Sequence, residues 1–302
     1  MKTKDLIASL EAEIKREGAT ADTNAALLRL KEIAKEYDGD DRVISSRELV
    51  DEALKTPQKP KFYSGFDTLD KLMEGFTTGE SIFFTGITKH GKTSMCMELS
   101  VRFKEQNPLW LSFEEKPIDL IRKFRDKTGD FPHFFTPRQN ERPDLEWLEK
   151  KIVEAKAKYD TKVVFIDHLG FVSDAEKGKD DTEASRLERI SRSVHSMAVK
   201  WEVCIFLLGH LTKVSPTQTP DLENIKGSSA MAQEADCTMM VWRRTKRENG
   251  KIVIGNETNL SIQANRRGSP GNVEMLYEAG RFTESPFQEN EPDEDDVWKS
   301  KA

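Results

Sequence analysis

At 302 residues, with 33% charged side chains and a formal net charge of -6, the chain is long enough for one large or two modest domains and has the composition of a soluble protein. Several classes are excluded: no run approaches the roughly 20 apolar residues that span a bilayer, and the charged N-terminus MKTKDLIASLEAEIKREG lacks a signal peptide's apolar core. The acidic balance does not advertise a nucleic-acid surface, and Cys96, Cys204 and Cys237, well separated in apolar segments without metal-ligand spacing, read as reduced thiols of a cytoplasmic protein.

Residues 3–17 carry Leu6, Ile7, Leu10 and Ile14 at helical spacing, and residues 22–37 carry Ala25, Leu27, Leu28, Leu30 and Ile33. A third helix opens in SSRELVDEAL, where Ser45 and Glu48 are spaced as a capping box. TPQKPKF breaks helix and reads as a linker. We therefore expect a helical N-terminal region and linker over 1–60 and a separate core over 61–284. In the core, strand-like runs alternate with helical ones: SIFFT (81–85), LWLSF (109–113), KVVFID (162–167), CIFLLG (204–209), CTMMVW (237–242), NLSIQA (259–264) and VEMLY (273–277). Such apolar runs suit strands covered on both faces, which predicts an α/β fold with a mostly parallel sheet flanked by helices. The later runs follow one another without long helices between them, so the far edge should be antiparallel. In the last stretch, 285–302, Glu289, Glu291, Asp293, Glu294, Asp295 and Asp296 crowd around a proline. That composition predicts a disordered tail, with docking to a partner as the other reading.

Directly after SIFFT comes TGITKHGKTSM, in which Gly86, Gly91, Lys92 and Thr93 complete G-x-x-x-x-G-K-T. The following MCMELSVRFKEQ reads as a helix packed on a sheet. A strand ahead and a helix behind are what this pattern needs, because backbone N–H groups at a helix start grip phosphate. The loop predicts binding of ATP and Mg2+ by Gly86, His90, Gly91, Lys92, Thr93 and Ser94. Lys92 would reach the β and γ phosphates and the Thr93 hydroxyl would sit on the cation. Asp167, after four apolar residues, is the expected second metal ligand, with a helix-capping role as the alternative. Glu114 and Glu115 stand where a carboxylate could activate water. His210 alone reads as a structural histidine ending an apolar strand, Arg266 as part of a turn, and Lys226 to Ser229 as a flexible loop.

The segments GITKHGKT, LSFEEKP, FIDHLGF, LLGHLTK, IKGSSAMAQEAD and ANRRGSPG occur in the order and approximate spacing of the RecA-like motor domain of DnaB-type replicative helicases. The chain resembles the bacteriophage ring helicases of that superfamily most, over roughly Gly65 to Glu284. The resemblance implies a RecA-like P-loop fold, ATP hydrolysis coupled to unwinding, and a homo-oligomeric ring, expected to be a hexamer, around single-stranded DNA. It implies Glu114, rather than Glu115, as the catalytic glutamate, His210 as a polar sensor, and Arg266 as an arginine finger acting in the neighbouring subunit's site. Lys226, Gly227, Ser228 and Ser229 fall in a loop implied to touch the DNA backbone; DAEKGKDDTEASR, with Lys177 and Lys179, is a weaker candidate. The N-terminal helices, or the third one alone, are implied to dock on the adjacent subunit. The chain departs from the family at Ala264, where lysine is common, with Arg267 as a nearby alternative charge. A primase, a loader or a single-strand-binding protein would be a separate chain. The competing readings are a RecA-type recombinase, which would form an open filament, or another RecA-like DNA-dependent ATPase of plasmid or regulatory type, and a nucleotide-gated loader or assembly switch.

Overall fold

The computed structural model describes residues 43–129, 131–139, 144–175, 182–210, 234–248 and 251–285, with Pro220 and a few isolated positions ahead of residue 43. It divides into two compact units, residues 1–58 and Lys59–Ala302. In the first unit, α1 (Ser46–Lys55) begins as the capping spacing predicts: the Ser45 hydroxyl accepts the Glu48 N–H at 3.3 Å, satisfying one of the amides a helix start leaves unpaired. The two earlier helices fall largely outside the described residues, as does the acidic tail beyond Ser285.

The second unit runs α2 (Asp67–Met73), β1 (Ser81–Gly86), α3 (Lys92–Arg102), β2 (Leu109–Ser112), α4 (Pro117–Thr128), α5 (Leu145–Tyr159), β3 (Val163–Asp167), α6 (Leu169–Ala175), α7 (Glu183–Trp201), β4 (Cys204–Leu208), β5 (Cys237–Glu248), β6 (Lys251–Asn265), β7 (Gly271–Glu278) and β8 (Arg281–Glu284). All eight strands form one sheet in the order β2-β3-β4-β1-β5-β6-β7-β8. The first five are mutually parallel, and β6, β7 and β8 extend the sheet antiparallel, as the closely spaced later runs predicted.

Period-two alternation explains why the parallel strands read as unbroken apolar runs. Ile82 and Phe84 of β1 point into a core with Leu69, Met95, Leu99 and Phe124 of α2, α3 and α4. Phe83, between them, points to the opposite core with Leu148, Ile190 and Val194 of α5 and α7. Each such fully buried side chain contributes about 1.5–3 kcal/mol, so both helical layers are held by the same strands. On β2, Trp110 stacks on Phe165 at 4.8 Å, meets Phe124 edge-on at 5.4 Å, and donates its indole N–H to Ser100 Oγ at 2.9 Å. The three cysteines are free and buried, and burial pushes each thiol up, which leaves them inert. No helix among the described residues is long and apolar enough to cross a membrane.

Two features exceed the sequence expectation. The β5–β6 hairpin continues past the predicted runs until Glu248 pairs with Lys251, and β8 forms a further hairpin with β7. The β7–β8 turn places Ala279 and Gly280 at φ 49° and 86°, the positive values a two-residue hairpin turn requires. Because β1 to β4 run the same way, their C-terminal ends open on one edge, the place where α/β sheets bind ligands.

Candidate active site

The loop after β1 is shaped by two glycines. A Cβ at Gly86 would run into the Val241 carbonyl of the paired strand β5, and Gly91 caps α3 at φ 100°. Lys89 also holds a positive φ, 69°. With no side-chain cap on α3, the amides of its first turn are presented to the loop, the geometry that favours an anion. His90 lies in this loop, but its buried ring turns to β5, where Nδ1 accepts the Arg243 N–H at 3.0 Å. Its role is to pin the loop to the sheet. Burial holds its pKa below the ordinary histidine value. Ser94 turns the other way and accepts a hydrogen bond from Lys127 at 2.7 Å.

Lys92 and Asp167 meet at the C-terminal edge of the sheet. The Lys92 ammonium donates to the Gly209 carbonyl at 3.0 Å and to His210 Nδ1 at 3.1 Å, while the Thr93 hydroxyl donates to Asp167 Oδ2 at 3.1 Å. Asp167 Oδ1 is buried and, among the described residues, finds no hydrogen-bond partner. A buried carboxylate oxygen without a donor is costly, and it matches the need of a divalent cation that also takes the Thr93 hydroxyl. Burial presses both charges toward neutrality, raising the Asp167 pKa and lowering that of Lys92, each opposed by the other's charge. A cation beside Asp167 and phosphates beside Lys92 would restore both charges. The residues present therefore fit Mg2+ and a phosphate chain.

Glu114 follows β2 and faces this centre. Its Oε1 lies 3.0 Å from His168 Nε2 and 3.6 Å from His210 Nε2. Hydrogen bonds to His168 first, then to His210, hold its carboxyl well below the usual carboxylate range despite partial burial. Glu115 pairs instead with Lys123 of α4, so of the two glutamates Glu114 is the one beside His168 and His210. His168 went unnoticed in the sequence because it simply follows Asp167 and matches no spacing rule.

A second group missed in the sequence lies beside the start of α3. The Arg243 guanidinium sits 4.7 Å from the Tyr277 ring centroid, and the Tyr277 hydroxyl accepts from Lys127 at 3.0 Å. Arg243 and Tyr277 come from β5 and β7, strands whose inner residues looked only structural in the sequence.

Arg266 is not brought to this centre. It follows β6, whose Asn265 pairs with Cys237 at the start of β5, and Cys237 in turn pairs with Ile82 at the start of β1. Arg266 thus lies at the opposite edge of the sheet from Lys92. Half exposed there, it donates its backbone N–H to the Asp236 carbonyl at 2.9 Å and holds its guanidinium 3.5 Å from the Asp236 carboxylate. Arg267 is engaged in an ion pair with buried Glu80 and donates to the Gly75 carbonyl at 3.3 Å. Lys226, Gly227, Ser228 and Ser229 lie outside the described residues, as do Lys177 and Lys179.

The family model for the DnaB-like helicase C-terminal domain matches residues 126–284. The chain is 24% identical over 248 residues to the replicative DNA helicase DnaB of Treponema pallidum (strain Nichols), covering 72% of this chain and 54% of that protein. It is 21% identical over 255 residues to a probable replicative DNA helicase of Trieres chinensis, covering 72% and 55%. The chain spans about half the length of these relatives. Among solved structures, one ATPase domain superposes with a TM-score of 0.68 at 18% identity, covering 82% of this chain and all of that one. A DnaB-like replicative helicase, studied with its interactions with primase, superposes with a TM-score of 0.65 at 17% identity, covering 93% and 76%. These likenesses establish a RecA-like ATPase fold.

Proposed function

We propose that this chain, which belongs to the DnaB-like helicase C-terminal domain family, is the motor of an ATP-driven DNA helicase that moves on single-stranded DNA as a homo-oligomeric ring. One observation carries the reading. Lys92 and Thr93 on the helix after β1 meet Glu114, Asp167 and His210 from the ends of the adjacent parallel strands β2, β3 and β4: Lys92 bonds His210, Thr93 bonds Asp167, and Glu114 stands 3.6 Å from His210. A phosphate grip needs only the first two; a carboxylate and an imidazole added to them equip the site to hydrolyse.

In this mechanism Lys92 leaves the Gly209 carbonyl for the β and γ phosphates of ATP, whose negative charge offsets the burial that lowers its pKa. Thr93 and Asp167 would hold Mg2+, which supplies charge neutralisation at the transferred phosphate. Glu114 orients the attacking water and takes its proton. His210 loses the Lys92 contact when that side chain turns to phosphate, so it registers occupancy at the end of β4. The base would rest on the Arg243–Tyr277 pair, whose cationic and aromatic faces suit a heterocycle. Arg266, too far across the sheet to serve its own site, would act in the neighbouring subunit's, so turnover requires assembly, with six subunits as the expected number. Lys226 to Ser229 would grip the DNA backbone without reading bases, residues 1–60 would form a separate helical region with its linker, α1 would dock on the adjacent subunit, and a primase, a loader or a single-strand-binding protein would be a separate partner.

The test is ATP-dependent separation of a forked DNA duplex, with Lys92→Ala as control. Strand separation that disappears in the variant is expected. DNA-stimulated hydrolysis with no separation would turn the reading toward a recombinase-like ATPase.

A further inference from the structure

We propose that His168 is the positioning residue of the hydrolytic step: it holds Glu114 by one carboxylate oxygen and so aims the other at the attacking water. The inference rests on the ATPase reading above and extends it to a residue outside the phosphate loop, the metal ligands and the sensor.

The place of the proton on the ring is set by a backbone amide. The N–H of Gly170 donates to His168 Nδ1 at 2.8 Å. An amide N–H can only donate, so Nδ1 carries the lone pair and Nε2 carries the hydrogen. That Nε2–H faces Glu114 Oε1 at 3.0 Å, a charge-assisted hydrogen bond. The ring is held in this setting from several sides. It packs 5.1 Å from Phe171 and meets the His210 ring edge-on at 4.3 Å. Gly170 is required beneath it, since a Cβ there would run into the imidazole.

Hydrogen-bond direction also decides what the cluster is. The ligand atoms of Glu114, His168 and His210 lie within 4.8 Å of one another, close enough for a metal trio. Yet Lys92 donates to His210 Nδ1 as Gly170 does to His168 Nδ1, so both rings direct an N–H, not a lone pair, at Glu114. The trio is a clamp of N–H groups on one carboxylate, with His168 hydrogen-bonded at 3.0 Å and His210 standing at 3.6 Å. Both imidazoles address Oε1, His168 from the shorter distance, which assigns Oε2 to the water. His210 is committed to Lys92 and changes partners when that side chain moves; His168 is anchored to its own backbone and does not. The constant half of the clamp is therefore His168.

The experiment compares His168→Leu and His168→Gln in the full chain, with kcat and KM for ATP measured alongside affinity for a fluorescent ATP analogue. Leucine should lower kcat about 10- to 100-fold while KM and analogue affinity stay within about twofold; glutamine, which keeps a donor at similar reach, should recover most of the loss. Wild-type turnover in the leucine variant, joint loss of turnover and analogue binding, or a glutamine variant no better than leucine would each overturn the proposal. A second readout does not depend on turnover. In nitrogen–proton correlation spectra of the five histidines, the signal removed by His168→Gln should report an Nε2–H tautomer and should shift in Glu114→Gln. An Nδ1–H tautomer would overturn the assignment. A wild type that fails to hydrolyse ATP but shows the Nε2–H signal would sink the ATPase reading while leaving the His168–Glu114 clamp standing.

Discussion

The Thr93 hydroxyl donates to Asp167 Oδ2 at 3.1 Å, tying the first turn of α3 to the end of β3 through a carboxylate whose other oxygen has no donor among the described residues. Burial raises the Asp167 pKa. The folded state therefore disfavours the ionised form, and this group's contribution to stability is lost as pH rises from the ordinary aspartate range through the raised value. Asp167→Asn should accordingly raise the Tm of the nucleotide-free protein at neutral pH, by about 2–4 °C for each kcal/mol relieved. It should also abolish the thermal shift produced by ATP with Mg2+. Thermal unfolding with and without nucleotide checks both; a lower Tm in the nucleotide-free variant would count against the account.

Glu114→Gln should retain binding of an ATP analogue and lose hydrolysis by about 10²- to 10⁴-fold, the range for a removed general base. The pH profile adds a sign. With its carboxyl held well below the usual range by His168 and His210, Glu114 remains ionised as pH falls from about 7 to 5, so kcat should not lose its base there. In His168→Leu the depression is relaxed and an acid limb should rise toward that window.

Arg266 and Lys92 sit at opposite edges of the sheet, which predicts complementation. Arg266→Ala and Lys92→Ala should each abolish most DNA-stimulated ATP hydrolysis alone. Mixed, they should recover part of it, because an intact loop on one subunit meets an intact arginine on the next. No recovery on mixing, with assembly preserved, would place Arg266 outside catalysis.

Tyr277→Ala should raise KM for ATP about 5- to 10-fold and leave kcat nearly unchanged, as expected for loss of a cation–π shelf that binds substrate and transition state alike. A fall in kcat without a change in KM would remove Tyr277 and Arg243 from nucleotide binding.

Gly86→Ala inserts a Cβ against the Val241 carbonyl in a sheet interior, and overpacking of this kind costs about 1–3 kcal/mol. The urea midpoint should fall accordingly, with the m-value unchanged.

Much of this was legible in the residues because local and global signals agreed. Strands buried on both faces read as apolar runs, and the loop of Gly86 to Thr93 announced itself between a strand and a helix. What escaped notice had weaker local cause. Beyond Arg243 the β5–β6 hairpin alternates polar residues and looks like loop, although the dipeptide Asn249-Gly250 is a hairpin signal. The β8 strand is four residues, too short for a period to show. His168 meets Glu114, and Arg243 meets Tyr277, only by tertiary approach: 54 positions separate the first pair and 34 the second, and no spacing rule spans either distance. Glu114, by contrast, was placed by the family resemblance, and its contacts with two imidazoles then gave the choice a physical basis.

One strand, β6, joins the aromatic shelf to the far arginine. Thr258 pairs with Arg243, beside the Tyr277 ring, and Asn265, seven positions on, abuts Arg266. At about 3.4 Å per residue the two points are at most about 24 Å apart along a strand whose register with β5 shifts between Ile262 and Ala264. Paired on both sides over most of that span, the bar has little room to stretch. In the proposed assembly, any tilt imposed where a subunit seats its own nucleotide must reappear at the arginine offered to the next, so firing order around the circle could be kept by a rigid rod rather than by messages relayed through loops.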